Sequence, residues 1–245
     1  MRCLPVLRRA EDAEEMLDGP VALRDLSRSL ADVARLNTLF GGRLISVAHV
    51  TALLRALPAD RTATVVDVGT GSGDLPRALV RWARRRGRRV RVVAIDRDRV
   101  VLGVARRLCA RFPEISFVQA DASALPLGLG AVDVVISALT LHHLEPPAAV
   151  RALAEMDRAA REGMVVNDLS RSRAAYGLVW LATRALTTTR ESRHDGPLSV
   201  LRAYTPAELR GLGARAGLSG LRIRRYPILA RQCLVRVKPR PMPAS

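Results

Sequence analysis

The segment VVDVGTGSG, residues 65–73, joins a run of β-branched residues to three alternating glycines. The valine-rich run favours a buried β-strand, and a helix is expected to begin directly after the turn, near Asp74. Glycines at such a turn accept positive φ and let a ligand approach the backbone closely. Free N–H groups at the helix N-terminus add a partial positive charge. The segment therefore predicts a ligand-binding junction between a strand and a helix.

The spacing of the glycines separates this turn from a dinucleotide site. Gly69, Gly71 and Gly73 follow the pattern G-x-G-x-G, whereas dinucleotide-binding turns have G-x-G-x-x-G. Asp67 precedes the first glycine by two residues, where an anion would repel a pyrophosphate and attract a cationic amine. A nicotinamide-dependent dehydrogenase is therefore disfavoured. A tight turn that binds no ligand is the structural alternative.

Short β-branched runs alternate with helical segments along the rest of the chain. Such alternation indicates an α/β fold, with βαβ units and helices on both faces of a mostly parallel sheet. The predicted parallel strands cover 64–68, 90–95, 115–119, 132–137 and 164–167. Two further strands, expected to form an antiparallel hairpin, cover 221–226 and 232–237.

Helical segments precede this pattern. Residues 1–20 are expected to form a loose, charged leader. Leucine and valine at three- and four-residue intervals predict an amphipathic helix over 22–40, ended by the glycines at 41–42. A second helix is expected over 44–57. We therefore divide off residues 1–58 as a leader and helical cap.

The remaining residues, 59–245, are expected to form the main domain, with one interruption at 168–203 over the ligand site. An apolar helix is predicted there over 174–186, followed by a polar loop over 187–197. The segment Thr-Pro-Ala-Glu at 205–208 then has the order of an N-cap, a first-turn proline and a capping-box glutamate, which predicts a new helix.

Asp96 ends the second predicted strand, roughly twenty residues after the glycine turn, where a carboxylate can accept both hydroxyls of a ribose. Alone, Asp96 could be an ordinary strand-end cap, but beside the glycine turn a role in ligand binding is favoured.

These features resemble the successive motifs of class I S-adenosylmethionine-dependent methyltransferases, in particular the small-molecule branch akin to quinone-biosynthesis enzymes. The resemblance rests on 65–75, Asp96, the segment QADA at 119–122 and the segment VDVVIS at 132–137. It implies a Rossmann-like, seven-stranded, mostly parallel sheet with an antiparallel last strand and an N-terminal helical cap. It also implies S-adenosylmethionine as the cofactor.

The resemblance assigns parts of the cofactor to individual residues. Asp67 and the glycine turn would hold the methionine moiety, Asp96 the ribose and Asp121 the adenine. Ser137 would lie near the transferred methyl group. The full implied set is Asp67, Gly69, Thr70, Gly71, Gly73, Asp96, Arg97, Asp121, Ala122 and Ser137.

Three histidines are candidates for a general base. His142 and His143 follow the fourth predicted strand, at the edge where the methyl group should lie. Histidine changes charge near neutral pH and can take a phenolic proton. His194 is the rival, since the neighbouring Asp195 could orient its ring. Capping or packing is the alternative role for each, and His49 is expected to be structural.

The protein is expected to be an O-methyltransferase. Its expected acceptor is the hydroxyl of a phenolic or quinone-like, lipophilic small molecule that the apolar helix at 174–186 could help to enclose. Tyr176, Val179, Trp180 and Thr183 fall on one face of that helix, as a pocket wall or as core. The alternatives are an RNA methyltransferase and a non-catalytic scaffold that binds the cofactor.

The net charge of +17 comes almost entirely from arginine, because Lys238 is the only lysine. A run of arginines over 81–91 suits the end of a helix, where cations complement the macrodipole. With 3% aromatic residues, stacking platforms for nucleic acid are scarce, and we expect no nucleic-acid partner. Because arginines flank the apolar helix at 174–186, a weak contact with a membrane surface is an alternative.

The chain of 245 residues is long enough for one domain with a full core. Three separated cysteines, Cys3, Cys109 and Cys233, suggest neither a disulfide framework nor a metal site. No apolar run approaches the roughly 18 residues of a transmembrane helix, and the start is too short for a secretory signal. A cytoplasmic location is expected.

Overall fold

Seven strands form a single sheet in the computed structural model, which describes residues 7–239 except 12 and 20. Five parallel strands come first in the chain, and β7 then lies antiparallel between β5 and β6, in the order β3-β2-β1-β4-β5-β7-β6. The strands are β1 (Ala63–Val68), β2 (Val90–Asp96), β3 (Ile115–Gln119), β4 (Val132–Ala138), β5 (Ala160–Leu169), β6 (Arg222–Tyr226) and β7 (Arg231–Val237). The predicted fold class is confirmed, including the antiparallel strand.

Helices cover both faces of the sheet. They are α1 (Leu23–Leu39), α2 (Gly42–Leu54), α3 (Asp74–Arg85), α4 (Arg99–Leu108), α5 (Pro146–Ala159), α6 (Arg173–Leu186), α7 (Arg190–Arg202) and α8 (Pro206–Arg215). Neighbouring residues of β1 point to opposite faces, so Val65 packs in one core with α2 and α3 and Val66 in the other with α5 and α8. None of the helices in the described part of the chain has the length and hydropathy needed to cross a bilayer.

Local signals in the sequence place several helix ends correctly. Gly41 follows α1 with φ of 68°, the left-handed conformation expected of a C′ glycine. The arginine run extends beyond α3, with Arg84 and Arg85 in its last turn. Thr205 and Glu208 form the predicted capping box at the start of α8.

The predicted polar loop over 187–197 is wrong, because α7 begins at Arg190. Gly196 and Pro197 are poor helix formers, which favoured a loop. The fold overrides this preference. Thr189 caps the helix by accepting a hydrogen bond from Ser192 N, and Gly196 permits a close approach of α6, since a Cβ there would lie 2.4 Å from Thr183 Cγ2.

The described part of the predicted leader is ordered against α7, so the expectation of a loose segment is wrong for residues 7–11 and 13–19. The amides of Met16 and Leu17 donate to the two carboxylate oxygens of Asp195, at 2.8 and 3.0 Å. Ala10 N donates to Leu201 O at 3.2 Å. Residues 1–6, 12 and 20 lie outside the described residues.

Candidate functional site

A cavity of about 300 Å³ lies at the carboxyl ends of β1, β2 and β4. Open α/β sheets bind ligands at this edge. The glycine turn and the acidic residues at the strand ends line one part of it, and α1, α6 and α7 line another. The cavity is therefore the place where a bound cofactor and an acceptor could meet.

The glycine turn presents its backbone to this cavity. Gly69 and Gly71 have φ of 72° and 52°, so both adopt the conformation that glycine tolerates best. The amides of Gly69 and Thr70 both donate to Ile95 O at 2.9 Å, which ties the turn to β2. A Cβ at Gly69 would lie 2.2 Å from Thr140 Oγ1, so a side chain has no room there.

Asp67 lies beneath the turn and is only 2% exposed. Its Oδ2 atom accepts a hydrogen bond from Thr70 Oγ1 at 2.7 Å. Burial raises the pKa of Asp67 to about 7, aided by the charges of Asp74 and Asp96 and opposed by the Thr70 hydrogen bond. A cationic ligand group beside this carboxyl would favour its ionised form.

Asp96 and Asp121 also line the cavity, after the ends of β2 and β3. Asp96 accepts hydrogen bonds from Gly71 N at 3.0 Å and Asp98 N at 3.1 Å, while burial raises its pKa. Asp121 accepts from the hydroxyl and the amide of Ser123, at 2.6 and 2.7 Å, and these bonds lower its pKa. Both carboxylates are thus held in place by neighbouring donors.

The structure brings together all but two of the residues predicted to contact the cofactor. Ser137 lies behind the cavity wall, where its hydroxyl donates to Val68 O at 2.8 Å. Gly73 also lies behind the wall, where a Cβ would lie 2.8 Å from Cys109 Sγ. The predicted residues that line the cavity are Asp67, Gly69, Thr70, Gly71, Asp96, Arg97, Asp121 and Ala122.

His142 forms a buried pair with Asp168 at the cavity wall. The ring Nδ1 lies 2.6 Å from Asp168 Oδ1, and the His142 amide donates to Asp168 Oδ2 at 3.0 Å. Burial works to raise the pKa of Asp168, but the charge and hydrogen bond of His142 outweigh it and lower the pKa overall. An ionised carboxylate only accepts hydrogen bonds, so Nδ1 carries a proton and the ring is oriented by Asp168.

The leader contributes an unpredicted carboxylate, Glu15, which is 5% exposed. Its oxygens lie 3.8 Å from His142 Nε2 and 3.9 Å from His143 Nε2, and Ser199 Oγ donates to it at 2.9 Å. One ligand atom from each of Glu15, His142 and His143 lies within 4.8 Å of the others, a donor set that could hold a divalent ion. Nothing in the sequence near Glu15 distinguished it from the other acids of the leader.

His194 is not brought together with these groups. It lies on α7, its side chain is 53% exposed, and its Nδ1 lies 2.8 Å from Asp195 Oδ1. The ring is outside the cavity lining that the structure describes. His49 lies in packing, with Nε2 2.9 Å from the hydroxyl of Tyr226.

Apolar side chains complete the cavity. Leu30 and Val33 of α1 and Val179 of α6 line it. Of the helical face singled out in the sequence, Val179 alone contributes to the described lining. Trp180 is 41% exposed, with the Arg184 guanidinium 3.9 Å from its ring centroid. The other residues of that face pack elsewhere or are exposed.

Comparisons with known proteins agree with this geometry. Residues 65–163 match the model of a methyltransferase domain. The 2-phytyl-1,4-naphtoquinone methyltransferase of Thermosynechococcus vestitus is 30% identical over 179 residues, 68% of this chain and 76% of that protein. A ribosomal RNA small subunit methyltransferase A of Rhodopseudomonas palustris is 35% identical over 107 residues, 43% of this chain and 35% of that protein.

A solved structure shares the fold. The magnesium protoporphyrin IX methyltransferase of Synechocystis, determined with bound SAH, has a TM-score of 0.56 over 81% of this chain and 84% of that one, at 16% identity. The glycine turn and the carboxylates at the strand ends line the cavity at the edge where open α/β sheets bind ligands. The chain therefore belongs to the class I S-adenosylmethionine-dependent methyltransferases, and S-adenosylmethionine is its cofactor.

Proposed function

We propose that the protein methylates the hydroxyl of a phenolic or quinone-like metabolite, with His142 as the general base. The Asp168–His142 pair carries this proposal, because Asp168 orients an imidazole that lines the cavity. The proton of the acceptor hydroxyl passes to Nε2, and the charge on the ring is then stabilised by Asp168 and by Glu15 at 3.8 Å. His143, beside the same carboxylate, is the second candidate for this role.

S-adenosylmethionine supplies a methyl group on a sulfonium, a leaving group that is already activated. The protein therefore has to align the acceptor oxygen and remove its proton. Alignment can contribute on the order of 7–11 kcal/mol, and a general base about 100- to 10,000-fold in rate. Asp67, proposed to contact the donor, and His142, proposed as the base, both line the same cavity, so donor and acceptor can be bound next to each other.

The apolar part of the cavity supports a lipophilic acceptor. Leu26, Leu30 and Val33 of α1 contribute hydrocarbon to the same cavity that His142 and His143 line. Such a wall gains free energy by burying an aromatic ring or an alkyl chain. The naphtoquinone methyltransferase, by its name, acts on an acceptor of this kind.

RNA is the competing acceptor, favoured by the net charge of +17 and by the ribosomal RNA relatives. Those relatives match over 35% of their length. In this chain Glu15 and Leu17 of the leader line the cavity, which supports an acceptor small enough to be enclosed.

A screen with labelled S-adenosylmethionine tests the proposal, using phenols, carboxylic acids, amines and mixed RNA as acceptors. We expect label to enter phenols, with or without EDTA in the assay. Label found in RNA alone would overturn the proposal. Tight binding of S-adenosylhomocysteine with no transfer to any class would favour a non-catalytic scaffold instead.

Asp96→Ala is expected to weaken the binding of S-adenosylhomocysteine by at least about tenfold, because charge-assisted hydrogen bonds to the ribose are lost. Asp98→Ala is the matched control. Asp98 caps α4, accepting from Val100 N at 2.6 Å, so its loss should cost about 1 kcal/mol of stability and leave affinity unchanged. Calorimetry measures both affinities, and an unaltered value for Asp96→Ala would place the ribose elsewhere.

Asp67→Asn is expected to stabilise the ligand-free protein more at pH 8 than at pH 5. The pKa of Asp67 is about 7 in the fold, above its usual value of 3.8, so the native state retains the proton more strongly than the unfolded chain. Unfolding free energy therefore decreases as pH rises from about 4 to about 7. Removing the ionisable group should raise Tm at pH 8 by at least about 3 °C, while weakening S-adenosylhomocysteine binding. Equal destabilisation at both pH values would contradict this account.

A further inference from the structure

A guanidinium with two unpaired nitrogen atoms lies in the wall of the cavity. Arg231, the first residue of β7, is 4% exposed, and its Nε and Nη1 atoms have no hydrogen-bond partner among the described residues. Folded proteins leave few buried polar groups unsatisfied, and an unpaired buried charge is costly. Because Arg231 lines the cavity, a ligand there could supply the missing acceptor.

An unpaired acceptor lies close to this donor. Asn37 of α1 is 4% exposed, and its Oδ1 atom also lacks a partner in the described part of the chain. A Cβ built on Gly42 would lie 2.2 Å from Asn37 Oδ1 and 3.0 Å from Arg231 Cζ, so both groups border one point. A zwitterion could satisfy both groups. Its carboxylate would accept hydrogen bonds from the guanidinium, and the ammonium group on the same carbon would donate one to the amide oxygen.

The position of this pair is beside the glycine turn. Asn37 Nδ2 donates to Asp74 Oδ2 at 3.2 Å, and Asp74 is the first residue of α3 after the turn. Burial lowers the pKa of Arg231 to about 10, with Asp168 and Asp74 opposing the shift, so the guanidinium stays charged at neutral pH. Arg97, the other arginine among the described cavity-lining residues, directly follows Asp96 at the end of β2.

We propose that Arg231 binds the α-carboxylate of the donor's methionine moiety, while Asn37 Oδ1 accepts a hydrogen bond from its ammonium group. The proposal rests on S-adenosylmethionine as the donor and is independent of which acceptor is methylated. It makes Arg231 a selectivity residue for donors that carry an intact amino-acid end. The same guanidinium could instead bind an anionic group of the acceptor, and the experiment separates the two sources.

The test compares S-adenosylhomocysteine with its decarboxylated analogue, by calorimetry on the full chain. Arg231→Met should weaken S-adenosylhomocysteine binding on the order of 10- to 100-fold and change the analogue less than about threefold. If that variant does not fold, Arg231→Lys should show a smaller loss with the same ligand selectivity.

Two results would overturn the proposal. Equal losses for both ligands would mean that Arg231 supports the site without contacting the carboxylate. Unchanged S-adenosylhomocysteine affinity would assign the guanidinium to something other than the donor, and a raised KM for the acceptor would then identify that partner. Neither result depends on whether the acceptor proves to be a phenol.

Discussion

His142→Gln is expected to lower kcat for a phenolic acceptor by about 100- to 10,000-fold, the usual contribution of a general base. The variant loses the imidazole ring that Asp168 orients through Nδ1 at 2.6 Å. S-adenosylhomocysteine affinity should change less than about threefold, since the proposed donor contacts lie on other residues. The rate with more acidic phenols should depend less on His142, because more of each such phenol is already ionised to phenolate without a base.

His194→Gln is the matched control for this prediction. It removes a histidine from α7 whose side chain is 53% exposed and lies outside the described cavity lining. We expect its kcat to stay within about threefold of the wild type, as for most surface substitutions. A larger loss for His194→Gln than for His142→Gln would contradict the assignment of the base. Steady-state kinetics and calorimetry on both variants provide the comparison.

Gly69→Ala is expected to have the largest effect on the donor site. A side chain at this position meets both a φ of 72° and a Cβ distance of 2.2 Å from Thr140 Oγ1, so the turn must shift. Left-handed backbone alone costs about 1–2 kcal/mol for a residue with a Cβ. We therefore expect Gly69→Ala to lose more unfolding free energy than this. We also expect at least a tenfold weaker affinity for S-adenosylhomocysteine, because a shifted turn moves the groups that would contact the ligand.

Gly87→Ala separates the backbone strain from the clash. Gly87 has φ of 61°, but a Cβ there would meet nothing within 4 Å. Its substitution should therefore cost about 1–2 kcal/mol and leave donor affinity unchanged. Denaturant unfolding and calorimetry on both variants measure the two effects. Equal stabilities, with equal affinities, would mean that the turn at Gly69 is not held against Thr140.

The proposed donor-binding part of the cavity was predictable from the sequence, because its signals are local. A strand, a turn and a helix start are encoded within a few residues, as at 65–74, and parallel pairing then places the end of each strand at one edge. Asp67, Asp96 and Asp121 each follow from their position relative to a strand. The structure needed only to bring these segments side by side.

The rest of the site depends on contacts between distant parts of the chain. Glu15 reaches His142 because Asp195 binds the amides of the leader, and no local pattern shows this. The helix α7 forms despite Gly196 and Pro197 because it packs against α6. The sequence does not separate Arg231 from the many other arginines. The structure does, because Arg231 is buried and its Nε and Nη1 atoms have no hydrogen-bond partner among the described residues.

Transfer of a ¹³C-labelled methyl group, followed by NMR of the product, tests the central claim most directly. The wild-type protein, given labelled S-adenosylmethionine and a lipophilic phenol, should yield an aryl methyl ether in which the label is bonded to oxygen. The same reaction with His142→Gln should form this ether at least about 100-fold more slowly. Label bonded to a ring carbon or to nitrogen, formed at wild-type rate without His142, would contradict the account.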